Sequence, residues 1–343
     1  MEFYLNAYST VRTAVPTPPE FPVTNSRHLT GGEPYFSPDA EEMLEHLGGF
    51  MRYALQTGTE RAGSYTARLH ALGLHIRSTR SQYVFTCDDD SFDLARLTAW
   101  AQQANAIFFL PDGTIADPHG RDLLDPASDA AVPHPAAALE RSERIRAELA
   151  DAGFHVAHSL PPVLDAAELV LRDPAEVFDR ALVLATLATW ALHLQESGHA
   201  HDPGIPEPLL TESEQRTLAD PTEQALINLS WGVEAAATLA WALGLLDRDP
   251  TSLEPASLDA VNAALAPVGG TAPELHPVEL PTLADFLERT FSLRWCAQDS
   301  RINEDYQGRP FSGVDTSVLL ERHHALAWLT APLAGYDDVD LST

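Results

Sequence analysis

Hydrophobic positions change their spacing partway along the chain. Up to residue 126 they alternate or gather in short runs, and beyond residue 136 they recur every three or four positions. Residues 2–8 set Phe3, Leu5 and Ala7 on one side, which predicts a strand. Pro16, Pro18, Pro19, Pro22 and Pro34 then predict a largely extended loop. Pro38, Asp39, Glu41 and Glu42 open a helix whose apolar face carries Leu44, Leu47, Met51 and Leu55. The pattern next predicts a short helix over 65–72, a hairpin of strands at 74–77 and 83–87, and a helix over 92–105. Residues 106–110 form a fully apolar strand that Pro111-Asp112-Gly113 turns back along 114–116.

The later segments read as helices. Residues 139–153 are amphipathic and end on Gly153. Asp173-Pro174 starts an apolar helix through Ala181, Leu184, Ala188 and Leu192, and Thr211 and Glu214 have the spacing of a capping box. Asp220-Pro221 starts a helix that is apolar nearly all round and runs to about residue 246, with Gly244 near its end. Residues 249–281 are a looser connection broken by Pro255, Pro267, Pro273 and Pro277, and two closing helices lie within 283–338. The expected architecture is an α+β N-terminal domain over 1–126, a linker over 127–136, and an irregular all-α helical domain over 137–343.

Charge narrows the function classes. The chain has 50 acidic residues against 21 basic ones, for a formal net charge of −29, and every basic residue is arginine. Arginine without lysine fits a GC-rich coding bias. The acidity argues against nucleic acid, which requires a basic surface, and against an anionic membrane; it reads as a solvated acidic surface or, more sharply, as one that attracts a basic protein partner. Residues 180–195 are the nearest approach to a membrane span, but they are too short and polar, and read as a buried helix. Cys87 and Cys296 have no metal or redox spacing, and the N-terminus has no leader pattern, so the expectation is a cytoplasmic protein with reduced thiols.

Several chemistries have no motif here. There is no GxSxG, no GxGxxG and no Walker A sequence, and the absence of lysine excludes Schiff-base catalysis and anchored pyridoxal phosphate. No cofactor is expected. The leads for a metal are slight: His199 with His201, His155 with His158, and His323 with His324. The run Asp88-Asp89-Asp90 reads as a turn that caps the next helix, because it lacks the further acids and glycine of a calcium loop.

The strongest candidate is a polar cluster in the helical half. Glu234 sits among apolar neighbours, Arg294 shares a face with Phe291 and Leu287, and Glu321, Arg322 and His323 follow Leu319 and Leu320. Charges so placed must be paired, neutralised or open to a cavity. Two readings stand: a buried ion-pair network that fixes helix register, or an open pocket in which arginine holds an anion while Glu or His moves a proton. Asp299 belongs to the same candidate set.

Three stretches in order carry a family resemblance. They are Ser142-Glu143-Arg144 with residues 174–184; Ser230-Trp231-Gly232-Val233-Glu234 with residues 239–244; and Leu293-Arg294-Trp295, residues 299–303, residues 321–329 and Asp337-Asp338. They resemble the bacterial family of domain of unknown function 4272 over about 200 residues, with an N-terminal extension found in some members. His324, Ala327 and Tyr336 depart from the residues usual in that family. The resemblance implies domain position and motif positions and no activity. The favoured expectation is a non-enzymatic interaction protein, a regulatory or immunity-type neutraliser with an acidic surface. The alternative is a small-molecule-binding protein or hydrolytic enzyme built on Glu234, Arg294, Glu321 and His323.

Overall fold

A computed structural model describes residues 2–29, 38–88, 92–199, 202–249, 251–267, 273–303, 305–309, 311 and 315–341. The chain forms two compact units: Met1–Glu140 with Ala167–Leu169, and Arg141–Ala166 with Val170–Thr343. The first is α+β and the second is mostly helical.

In the first unit β1 (Glu2–Ser9), β2 (Val23–His28), β3 (Ser81–Asp88), β4 (Ala106–Phe109) and β5 (Ile115–Ala116) form an antiparallel sheet in the order β2-β3-β1-β4-β5. Register pairs Leu5 with Phe85, and Ala7 with both Tyr83 and Phe108. Because side chains alternate across a strand, these residues share one face. There they pack with Trp100, whose ring meets Phe85 edge-on at 5.1 Å. On the other face Tyr8 stacks at 4.4 Å on Phe50 of helix α1 (Pro38–Ala62). The returning segment Ala167–Leu169 is tied to β1 and its exit: Arg12 N–H donates to the Ala167 carbonyl at 2.8 Å, and the Thr10 hydroxyl donates to Glu168 at 2.5 Å.

Three local expectations change. Residues 74–77 continue α2 (Ala67–Arg77), with Leu69, Leu72 and Ile76 buried at helical spacing and Thr66 capping the Leu69 N–H, so β3 pairs with β1 and β2 instead of a hairpin partner. The proline-rich passage also supplies an edge strand, β2, from the proline-free residues between Pro22 and Pro34. Residues 92–105 form a 3-10 turn (Leu94–Leu97), capped by Asp93, and then α3 (Thr98–Gln103). Asp89 and Asp90 lie outside the described residues.

The helical unit follows from α4 (Ala136–Asp151), within which the division between units falls. It contains α5 (Pro174–Ser197), α6 (Glu212–Ala219), α7 (Glu223–Ala242), α8 (Leu258–Leu265), α9 (Leu280–Ile302) and α10 (Ser317–Leu329). The capping signals act as predicted for two helices. Asp173 caps α5 with Pro174 in its first turn, and Thr211 and Glu214 form a reciprocal capping box on α6. Helix α7 begins after Thr222 instead of at Asp220-Pro221, and α8 forms inside the stretch expected to be a looser connection.

Every residue from Gly232 to Ala242 is buried, so α7 is the axis of this unit, contacting α5, α8 and α10. Its short alanine side chains let those neighbours approach closely. Gly244 ends the helix at φ +72°, and a Cβ there would lie 2.2 Å from the His276 carbonyl oxygen. Only glycine fits both demands. Helix α5, at 24 residues, is longer than the stretch read from sequence. It is long and apolar enough to cross a membrane by length and composition, yet it packs on α7 and α8.

Candidate functional site

Helix geometry explains how one run on α10 serves three neighbours. Successive residues rotate by about 100°, so Glu321, Arg322 and His323 leave the helix in different directions, while His324, three residues on, lies on the Glu321 side. Arg322 turns toward α7, where it is 1% exposed and Glu234 is 0% exposed. Arg322 Nε donates to Glu234 Oε2 at 3.4 Å, and Arg248 donates to the same oxygen at 2.6 Å. The other carboxylate oxygen accepts the Ala256 backbone N–H. Arg322 also donates to the Ser252 carbonyl at 2.5 Å and the Glu254 carbonyl at 3.2 Å. Burial, then the neighbouring Arg248 charge, brings the Arg322 guanidinium down to about 10, opposed by Glu234. It remains a cation at neutral pH.

His323 turns toward α9 instead. Its Nδ1 accepts a hydrogen bond from Arg294, whose guanidinium also donates to the Leu341 carbonyl at 2.5 Å, and its ring lies 5.7 Å from Phe291. Accepting at Nδ1 requires a lone pair there, so this imidazole is neutral with its proton on Nε2. Burial and then the Arg294 charge lower it to about 3. Arg294 therefore meets His323 and the C-terminal segment, and not Glu234. The single cluster expected from the sequence resolves into an ion pair of Glu234 and Arg322, completed by Arg248, a separate contact of Arg294 with His323, and Glu321 apart from both.

Glu321 and His324 share the third direction, facing Tyr336. His324 donates from Nε2 to the Tyr336 carbonyl at 2.7 Å and stacks on its ring at 4.1 Å, while the Arg180 guanidinium covers that ring at 4.1 Å. Arg180 is in turn held by both oxygens of Glu214, the capping-box residue of α6. Among the described residues Glu321 has no hydrogen-bond or ion-pair partner, and the buried Tyr336 hydroxyl has none. Burial, then the Glu234 charge, raises Glu321 to about 7. Burial also raises the Tyr336 phenol, with Glu321 the strongest charge acting on it.

The remaining candidates stand apart. Asp299 is half-buried near the end of α9 and accepts from the Asn303 side chain at 3.4 Å. His199 is exposed, and its suggested partner His201 lies outside the described residues. Among the described residues no three His, Cys, Asp or Glu side chains are grouped as metal ligands would be.

A further buried ion pair was not picked out from sequence. Arg141 donates to Asp165 at 3.0 Å and to Glu288 at 3.4 Å, and Glu288 also accepts the Val163 N–H at 3.0 Å. Arg180 lies in an apolar helical stretch, a signal as clear as that of Arg294, whereas Arg141 lies in a charged, amphipathic helix and carries no such signal. Arg248 lies in a short polar segment after α7 and carries no such signal.

Residues 141–339 match the family model described as Domain of unknown function (DUF4272), which is more than half of the chain. No curated protein and no solved structure matches it. The clasp on α10, its partner Glu234 on α7 and the Arg294 site all fall inside the matched residues, and the sheet unit's strands fall outside them. The chain belongs to the DUF4272 family.

Proposed function

We propose that this is a non-enzymatic interaction protein of the bacterial cytoplasm, whose acidic surface engages a basic protein partner. The observation that carries the reading is the state of Glu234. It is fully buried, and its two oxygens are occupied by Arg322, Arg248 and the Ala256 N–H. A carboxylate so enclosed holds helices together and offers nothing to a substrate.

Among the described residues the interior is close to neutral, with five buried arginines against six buried carboxylates. The excess acid of a chain with net charge −29 therefore lies outside the core, where it is available to a partner. Residues 141–343 hold 32 of the 50 acidic residues and 12 of the 21 arginines. Among its described residues Arg141, Arg172, Arg180 and Arg322 are buried together with Asp165, Glu168, Glu214, Glu234 and Glu288, so nearly all of that acidic excess stays on the surface.

The test is capture of binding proteins on the immobilised full chain at about 50 mM and about 300 mM salt, a range over which exposed charges become screened. A basic protein retained at low salt and released at high salt is expected. Retention of no protein, or of one indifferent to salt, contradicts the reading.

One observation favours a second reading, a small-molecule-binding protein or hydrolytic enzyme. Glu321 is half-buried, unpaired among the described residues and raised to about 7, as a general acid working near neutrality requires. A ligand or substrate whose binding is abolished by Glu321→Gln, with the fold intact, would decide for it.

A further inference from the structure

The third direction of α10 ends in polar groups that the described residues leave incomplete. Tyr336 is 9% exposed, with His324 stacked on its ring at 4.1 Å and the Arg180 guanidinium over it at 4.1 Å. The hydroxyl at the tip of that ring has no hydrogen-bond partner among the described residues. A buried hydroxyl costs stability unless a bound group or a water completes it. Glu321 lies one turn before His324 on the same side of the helix. It too has no partner among the described residues, and it keeps partial exposure, so solvent reaches it. Of the charges acting on the Tyr336 phenol, that of Glu321 is the strongest, which sets the two groups together.

Three residues here have an acceptor to spare. Glu321 offers carboxylate oxygens and Tyr336 a hydroxyl oxygen. His324 donates its Nε2 proton to the Tyr336 carbonyl, and burial lowers its pKa, so Nδ1 keeps a lone pair. The surrounding charge is negative. Glu321, Glu214 and Asp337 act on Tyr336 against Arg180 alone, and Arg180 is committed to both oxygens of Glu214. Glu234, the other charge on Glu321, is taken by Arg322 and Arg248. An anion fits less well. The buried, unpartnered Arg180 Nε is a donor for one, but the anion would enter among three carboxylates.

We propose that the Glu321 side of α10 is a primary-ammonium site, where a lysine side chain or a free amine donates to the Glu321 carboxylate and the Tyr336 hydroxyl oxygen. An ammonium is a compact charge with three freely rotating donors, which suits acceptors spread over separate side chains. A hard metal cation suits the place less, since it takes about six oxygen ligands and no metal-ligand group forms among the described residues. Burial, then the Glu234 charge, raises Glu321 to about 7, so its carboxyl must lose a proton before it can hold the cation. Binding therefore strengthens as pH rises through 7. The site shares Glu321 with the small-molecule reading and rests on that reading only where a free amine is the ligand.

The experiment is calorimetric titration of the full chain at low ionic strength with n-butylamine, and in a second arm with a pentalysine peptide. Saturable binding is expected in at least one arm, about tenfold weaker at pH 6 than at pH 8. Glu321→Gln should weaken it about tenfold at pH 8 and remove most of the pH dependence. Tyr336→Phe, with its fold checked by thermal denaturation, should weaken it about threefold. Tighter binding of the peptide assigns the site to a partner's lysine, and tighter binding of butylamine assigns it to a free amine. No saturable binding in either arm, or equal affinity in Glu321→Gln, overturns the proposal. Either of those results leaves the salt-dependent capture of a basic partner standing on its own, and a neutral ligand lost with Glu321→Gln would still uphold the small-molecule reading.

Discussion

Glu234 and Glu321 lie close enough for one charge to act on the other, and their surroundings treat them in opposite ways. Glu234 is sealed, with two guanidinium groups and a backbone N–H on its oxygens. Glu321 precedes one of those guanidiniums in the chain and, among the described residues, receives none. One residue of rotation about α10 separates a carboxylate held in an ion pair from one that burial drives toward its neutral form. Polar residues in an apolar setting are thus not evidence of a single site. Each must be followed to its own partner.

The largest expected effect is at Glu234. Glu234→Gln leaves the buried Arg322 without a counter-charge, and a loss of about 3–5 kcal/mol of stability is expected, read from urea denaturation. A loss below about 1 kcal/mol would place the pair with ordinary surface salt bridges and erase the contrast with Glu321.

Glu321 should show itself through pH. Its folded value, about 7, lies above the usual 4.5 for this side chain, so the folded state holds the proton more tightly than the unfolded state. The stabilisation is complete below about pH 4.5, declines as pH rises, and is lost above about pH 7. Across that window the Glu321 contribution should fall by on the order of 3 kcal/mol, and Glu321→Gln should remove that contribution. His323, lowered to about 3 from 6.5, acts in the other direction, costing stability as pH drops through that interval. A Glu321→Gln variant with an unchanged profile between pH 4.5 and 7 would show that another group carries it.

The smallest effect is expected at Tyr336. Its buried hydroxyl has no partner among the described residues, so Tyr336→Phe should change stability by no more than about 0.5 kcal/mol, or raise it. A larger loss by thermal denaturation would mean that the hydroxyl is engaged, and that the Glu321 side of α10 is better satisfied than its geometry indicates.

Where residues carried a local physical signal, the sequence could be read closely. Asp173-Pro174 and the Thr211/Glu214 capping box mark helix starts because their side chains satisfy backbone N–H groups within a few residues. Residues 74–77 misled because four residues are too few to separate a strand from the last turn of a helix, and burial of Ile76 decided the matter. The charged residues Glu234, Arg294, Arg322 and His323 were legible as a problem needing partners. Their pairing was not, since it depends on the rotation of α10 relative to α7 and α9. Arg248 was hidden because nothing in its local sequence distinguishes it from an exposed arginine.

The claim at the centre of this account is that the Glu234–Arg322 contact is a structural clasp. A double-mutant cycle of Glu234→Gln and Arg322→Gln, followed by urea denaturation, tests it most directly. The account predicts a coupling of about 2–3 kcal/mol, with the double variant far less damaged than the two single losses together. Two single losses that simply add, leaving a coupling near zero, would contradict it.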